Sequence, residues 1–155
     1  MKRFAFVLLA ACSSSTVPPI DNSHVASCTD ESKCGNGMEP PPGGPHCSST
    51  LACRVFTTPQ GRCQYLHNLE HGHFVLAYNC PGGCDDVVQE LRGLHAAAPT
   101  PKRVIVTPDP LLKTRVAAMV WGHTWAGDTV DLAKIRAVQD QQDRDAPEAG
   151  LGCGQ

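Results

Sequence analysis

Tyr65-Leu66-His67-Asn68-Leu69-Glu70-His71-Gly72-His73 is polar and dense in histidine, and it runs without a break into Phe74-Val75-Leu76-Ala77-Tyr78. The reading of this stretch decides the fold. Its second half is a strand, because an unbroken run of aromatic and aliphatic residues fits a pleated, buried surface. Its first half has two readings. On a helix, His67, Glu70 and His71 share one face, and H-x-x-E-H becomes the inverted zinc-protease arrangement of two ligands and a general base. On a strand, His67, Leu69, His71 and His73 share a face and Glu70 points the other way. Gly72, with β-branched and aromatic residues just after it, favours the strand, and the chain is small for such a peptidase.

Working outward, Arg54 to Thr58 reads as a short strand closed by Pro59-Gln60-Gly61. After Pro81-Gly82-Gly83, Asp85 to Leu94 reads as a helix. Its two leading aspartates suit the positive N-terminal end, and Val87, Val88, Leu91 and Leu94 recur at helical spacing. Arg103 to Thr107 is a buried strand candidate. Val116 to Trp125 fits strand or helix by periodicity, and its Gly122 and paired tryptophans favour a strand. Asp131 to about Asp145 is a second helix, with Leu132, Ile135 and Val138 facing inward. The expected class is α+β: a small, mainly antiparallel sheet of about four strands, two helices on one face, and disulfide-stapled loops.

The N-terminus carries an export pattern. Lys2 and Arg3 precede an apolar run from Phe4 to Ala10, too short to span a bilayer. Leu9-Ala10-Ala11-Cys12 resembles the bacterial lipoprotein box, which implies cleavage before Cys12 and lipid on its thiol. The expected organisation is a signal over 1–11, a lipidated cysteine and Ser/Pro-rich tether over 12–38, one domain over 39–145 and an irregular tail over 146–155. The net charge of −2 and the lack of a basic patch exclude nucleic acid as a natural partner. Beyond Cys12 there remain Cys28, Cys34, Cys47, Cys53, Cys63, Cys80, Cys84 and Cys153, an even set that reads as disulfides in an exported chain. Sequence does not fix their connectivity. Proximity favours Cys28 with Cys34, Cys47 with Cys53 and Cys80 with Cys84, leaving Cys63 for Cys153. A thiolate metal cluster fits less well, since the spacings form no pair of CxxC knuckles.

Three of the seven histidines, His67, His71 and His73, fall within seven residues. Neutral imidazole is a ligand for zinc, copper, nickel and iron. His46, after the Gly-Gly-Pro turn, is the natural loop ligand, and His123, close to Trp121, is the next. Met119 shares a strand face with Trp121 and His123 in this reading, and its thioether would favour copper. His24 and His95 read as solvated. The plainer alternative is a set of histidines that only make hydrogen bonds in a polar core.

Pro40-Pro41-Pro42-Gly43-Gly44-Pro45-His46, Leu66-His67-Asn68-Leu69-Glu70-His71-Gly72, Phe74 to Tyr78, Val104 to Pro108 and Val120-Trp121-Gly122 together resemble the bacterial domain of unknown function 3105. That family looks like Pro-Pro-x-Ser-Gly-Pro-His, then His-x-Leu-Glu-His-Gly and a strand, then Ala-Trp-Gly. Gly43 replaces its serine and Val120 its alanine; His73 and the cysteines lie outside the pattern. The resemblance covers about residues 39 to 145. It implies a single domain in which His46, His67, Glu70 and His71 belong to one site, and it supplies no activity.

Three functions follow. The first is an envelope lipoprotein, attached to the membrane by lipid, with a copper or zinc site of His46, His67, His71 and His123. The second is a metal-dependent enzyme in which Glu70 is the general base. The third is a metal-free interaction module held by its disulfides.

Overall fold

The structure, a computed structural model, describes residues 19–153; Cys12 and the signal pattern lie outside the described residues. The central strand is β1 (Phe74–Tyr78). It is flanked by β2 (Val104–Pro108) and β3 (Val116–Val120), with β4 (His123–Gly127) beyond β3, giving the order β2-β1-β3-β4. β1 pairs parallel with β2, while β1–β3 and β3–β4 are antiparallel. The sheet is therefore mixed. The parallel pair arises because residues 79–103 carry helix α2 (Asp85–Ala97) across the sheet, and a parallel neighbour needs such a crossover.

Helices cover both faces. One apolar layer packs Tyr65, Leu66 and Leu69 of helix α1 (Arg62–Glu70) on Val75, Ile105, Ala117 and Met119. The other packs Val87 and Leu91 of α2, with Ile135 and Val138 of α3 (Leu132–Gln139), on Phe74, Leu76, Val106 and Val120. A strand buried on both faces reads as a continuous apolar run, which explains why β1 and β2 show no alternation. The expectation of two helices on one face is thus corrected to three on two faces.

Three element assignments also change. Arg54 to Thr58 is only an isolated bridge, Val55 beside Val106, at the edge of β2. Val116 to Trp125 is two strands, with a tight turn at Trp121-Gly122 between them. The stretch read as a histidine strand is helix α1. Cys63, Tyr65, Leu66, His67, Asn68, Leu69 and Glu70 are all buried, so no polar face marks it as amphipathic.

Gly72, taken as evidence against a helix, is what ends it. It adopts φ +76°. Its N–H donates to Leu69 O at 2.9 Å, and the His73 N–H donates to Asn68 O at 2.9 Å. Those two bonds make a Schellman termination, which wants glycine in the left-handed position. Around it, Arg103 Nη2 donates to His71 O at 2.6 Å, Gln142 Nε2 to Gly72 O at 2.9 Å, and the Glu148 N–H to Glu70 O at 3.0 Å.

All eight described cysteines are paired: Cys28–Cys47, Cys34–Cys63, Cys53–Cys153 and Cys80–Cys84. Of the sequence pairings only Cys80–Cys84 stands. The others change because residues 23–25 run beside His46, with Val25 N–H to His46 O at 2.8 Å and His46 N–H to Ser23 O at 3.0 Å. That ladder brings Cys28 to Cys47 and leaves Cys34 facing Cys63 in the first turn of α1. Residues 28–38, read from sequence as tether, are thus bound to the domain by two bridges. Among the described residues no helix is long and apolar enough to cross a membrane.

Gly72→Ala meets both the left-handed φ and the Arg103–Asp143 ion pair, which a Cβ would overlap. The expected loss is about 2 kcal/mol or more of unfolding free energy, read as a lower urea midpoint at constant slope on the oxidised protein.

Candidate metal centre

The terminated helix leaves His67 and Glu70 one turn apart, and His71 at the helix end. Against them the loop Pro40–Pro45 delivers His46. Gly44 has φ +128°, and a Cβ there would overlap the backbone of Gly35 and Asn36. This close approach lets the Pro45 carbonyl accept from the Gly35 N–H at 2.9 Å and holds His46 fully buried. The segment before Cys28 adds His24, paired beside His46 in an isolated bridge.

Four groups converge. One donor atom from each of His24, His46, His67 and Glu70 can be chosen so that all lie within 4.8 Å of one another. The His46 ring is 4.9 Å from that of His67, and His24 stands 5.1 and 5.2 Å from the two. His46, His67 and Glu70 are buried, and His24 is exposed. A tetrahedral shell with ligands about 2.0–2.1 Å from its ion spaces them about 3.4 Å apart.

The hydrogen bonds single out this cluster. His46 Nδ1 is 2.8 Å from the Gly44 carbonyl oxygen, which can only accept, so this nitrogen carries the proton. The other nitrogen, Nε2, lies 2.9 Å from Glu70 Oε2. A neutral ring with Nδ1–H presents a lone pair to a carboxylate oxygen, and two acceptors at that distance need a proton or a cation between them. Glu70 Oε1 accepts from Asn22 Nδ2 at 2.9 Å. His67 Nε2 is 3.7 Å from Glu70 Oε2, and its Nδ1 is buried without a partner. Burial, seconded by the neighbouring His71 and His46, holds His67 below the usual histidine range, so it offers a lone pair near neutrality.

His71 continues the row, its ring 4.5 Å from that of His67. Its Nε2 meets Glu148 Oε2 at 3.1 Å, and its Nδ1 is buried without a partner. His67, Glu70, His71 and Glu148 form a second donor group next to the first.

His73 differs. Its Nδ1 accepts from Asn68 Nδ2 at 2.9 Å, and its Nε2 donates to Leu151 O at 2.8 Å. Burial pushes it down to about 4, so the ring is neutral with both nitrogens committed. Cys53 and Cys153, the other donor-type atoms near it, are joined in a disulfide and offer no thiolate.

His123 does not join the cluster. The turn at Trp121-Gly122 reverses the chain, and β4 starts with His123 opposite Val120. Directly paired residues share a sheet face, and Val120 belongs to the layer under α2 and α3. His123 Nε2 instead pairs with Asp145, in a cleft of about 450 Å³ floored by Ile20 and Trp121. Trp121 meets the His46 ring edge-on at 6.1 Å, so cleft and cluster share a wall. Met119 is sealed in the apolar layer packed on α1. His95 lies on α2, behind the other face of the sheet. Sequence reasoning missed His24 and Glu148, which carry no local motif and reach the site through backbone contacts distant in the chain.

Fold and cluster together define a disulfide-stapled α+β domain with a buried histidine–carboxylate centre. The family described as protein of unknown function DUF3105 matches residues 28–155, and the chain belongs to it. No curated protein and no solved structure matches the chain.

His73→Ala removes one of the two acceptors of Asn68 Nδ2, which keeps Leu51 O, and the donor to the Leu151 carbonyl. The expected cost is about 3 kcal/mol in urea unfolding, from the desolvated groups and the cavity. Metal content measured on the same folded sample stays at the wild-type value, which separates His73 from the ligands.

Proposed function

We propose that this protein is an exported envelope protein, anchored by lipid on Cys12, that binds zinc or copper(II) through His24, His46, His67 and Glu70 and serves in metal handling. The observation that carries the reading is the His46–Glu70 contact. Gly44 fixes one protonated nitrogen of His46, and the other nitrogen faces a buried carboxylate oxygen at 2.9 Å, a contact that a proton or a metal ion has to fill. Two ligands of one tetrahedral ion stand about 3.4 Å apart, so the contact would open by about half an ångström on binding. The uncommitted Nδ1 of His67 supports the same reading, since buried polar atoms in folded proteins nearly always have partners.

Three imidazoles and a carboxylate suit zinc or copper(II). The sequence argument for copper rested on Met119, which lies in the apolar layer, so the two metals stand level. Glu70 acts as ligand rather than general base: both its oxygens are engaged, by Asn22 and His46, and the residue is 3% exposed. The uncommitted ring nitrogens of His67 and His71 weigh against a metal-free module. Export is supported by the signal pattern and by four disulfides, which form and persist in oxidising compartments.

The test is elemental analysis of the full chain, produced with its disulfides formed and purified without a histidine tag. At least one equivalent of zinc or copper is expected. His46→Ala with His67→Ala is expected to be metal-free. His24→Ala should weaken binding about 10–100-fold while keeping the fold, and His123→Ala should change nothing. A wild-type chain that stays metal-free after reconstitution with zinc and with copper overturns the reading.

A further inference from the structure

Beyond the first shell, the row of histidines continues into a place that the first ion would not fill. We propose that the centre is binuclear: a second divalent transition-metal ion sits beside the first, held by His71 and Glu148 and sharing the Glu70 carboxylate. The inference rests on the metal reading above and extends it.

Two observations at the cluster support it. The second donor group, His67, Glu70, His71 and Glu148, has donor atoms within 4.8 Å of one another and shares two members with the first. A carboxylate has two oxygens and can bridge two ions, and two-metal sites place their ions about 3.5–4 Å apart. Two of the five unpartnered buried side-chain atoms among the described residues fall on the same row: His67 Nδ1 and His71 Nδ1. His67 is 7% exposed and is common to both groups.

Glu148 is also delivered, not merely nearby. It belongs to a tail without regular structure, yet its N–H donates to the carbonyl of Glu70 itself at 3.0 Å. Two residues on, the Gly150 N–H donates to Asp143 Oδ1 at 3.1 Å, and Leu151 O accepts from His73. Cys53–Cys153 then closes the segment. The tail backbone thus caps the end of α1 and sets the Glu148 carboxylate 3.1 Å from His71 Nε2.

Charge agrees. Glu70 is 3% exposed, and its ion-pair partners among the described residues are His46 and His67, with no lysine or arginine. Glu148 pairs with His71. Two carboxylates with no lysine or arginine among their partners give the cluster a negative surplus that attracts divalent cations.

The test is a titration of the demetallated full chain, disulfides intact, with copper(II) alone. Bound metal is measured by equilibrium dialysis and the spin signal by electron paramagnetic resonance. The wild-type chain is expected to bind two equivalents, with the signal of the fully loaded protein well below that of two isolated ions, because the shared carboxylate couples them. Glu148→Gln, at a half-exposed side chain that the fold does not need, should bind one equivalent with an uncoupled signal of full intensity; His71→Ala should do the same. One equivalent in wild type, unchanged in Glu148→Gln, overturns the second ion and leaves the first site standing. Two equivalents with full spin intensity overturn the shared carboxylate. No binding at all overturns the metal reading on which both rest.

Discussion

Helix α1 has to stop immediately after Glu70 and hand the chain to the central strand, and most of the site depends on that reversal. A helix that ends inside a protein exposes carbonyls with no intrahelical partner. Here Asn68 O and Leu69 O are closed by the Schellman bonds, and the next three carbonyls are each met from a different part of the chain. Glu70 O takes the N–H of Glu148 from the tail, His71 O takes Arg103 at the start of β2, and Gly72 O takes Gln142 beyond α3. Arg103 also holds Asp143 in a two-pronged ion pair, and that pairing keeps the Asp143 carboxyl below its usual range. One glycine with positive φ therefore becomes the knot at which helix, sheet and tail are tied.

The same knot sorts the histidines. On the strand side of Gly72, His73 has a donor for one nitrogen and an acceptor for the other, as buried polar groups in native proteins usually do. On the helix side, His67 and His71 each keep one buried nitrogen unused. His46, by contrast, commits one nitrogen to a carbonyl and aims the other at a carboxylate. A carbonyl that fixes the tautomer of one ring nitrogen while the other faces outward is the arrangement metal-binding histidines commonly have. The contrast lies within a single row of rings, so a generally polar core does not account for it.

How much of this was legible from the sequence follows from what each element buries. β1 and β2 are unbroken apolar runs and can be read directly; α2 carries acidic residues at its start and a clear apolar face. Helix α1 was not legible, because it is buried on all sides and its polar residues point into a site instead of into solvent. Gly72 deepened the error, since a glycine after an apolar-poor stretch can end a helix as well as weaken a strand. His46, His67, Glu70 and His71 could be read from spacing and family pattern as one locality. His24 and Glu148 could not: residues 23–25 align with residue 46 through backbone bonds, and Glu148 returns to Glu70 from the far end of the chain. His123 lines the cleft beside Trp121, but its ring pairs with Asp145 and it belongs to none of the donor groups, which closeness in sequence could not reveal.

The donor groups come from four chain segments: residues 22–24, 44–46, 67–71 and 148. Only 67–71 overlaps regular secondary structure, at the end of α1. The other three are irregular, and each is fastened by a bridge close by: Cys28–Cys47 holds the first two together, Cys34–Cys63 ties their neighbourhood to α1, and Cys53–Cys153 returns the tail. Irregular segments have little local propensity to hold a ligand geometry, and cross-links that restrict them before any ligand arrives reduce the ordering cost of binding. Disulfide formation therefore prepares the donor segments for a ligand. It also fixes the chemistry that follows, since the described cysteines are consumed as disulfides and the donors left at the centre are imidazole nitrogens and carboxylate oxygens. Those ligands suit zinc(II) and copper(II) better than copper(I), which favours sulfur.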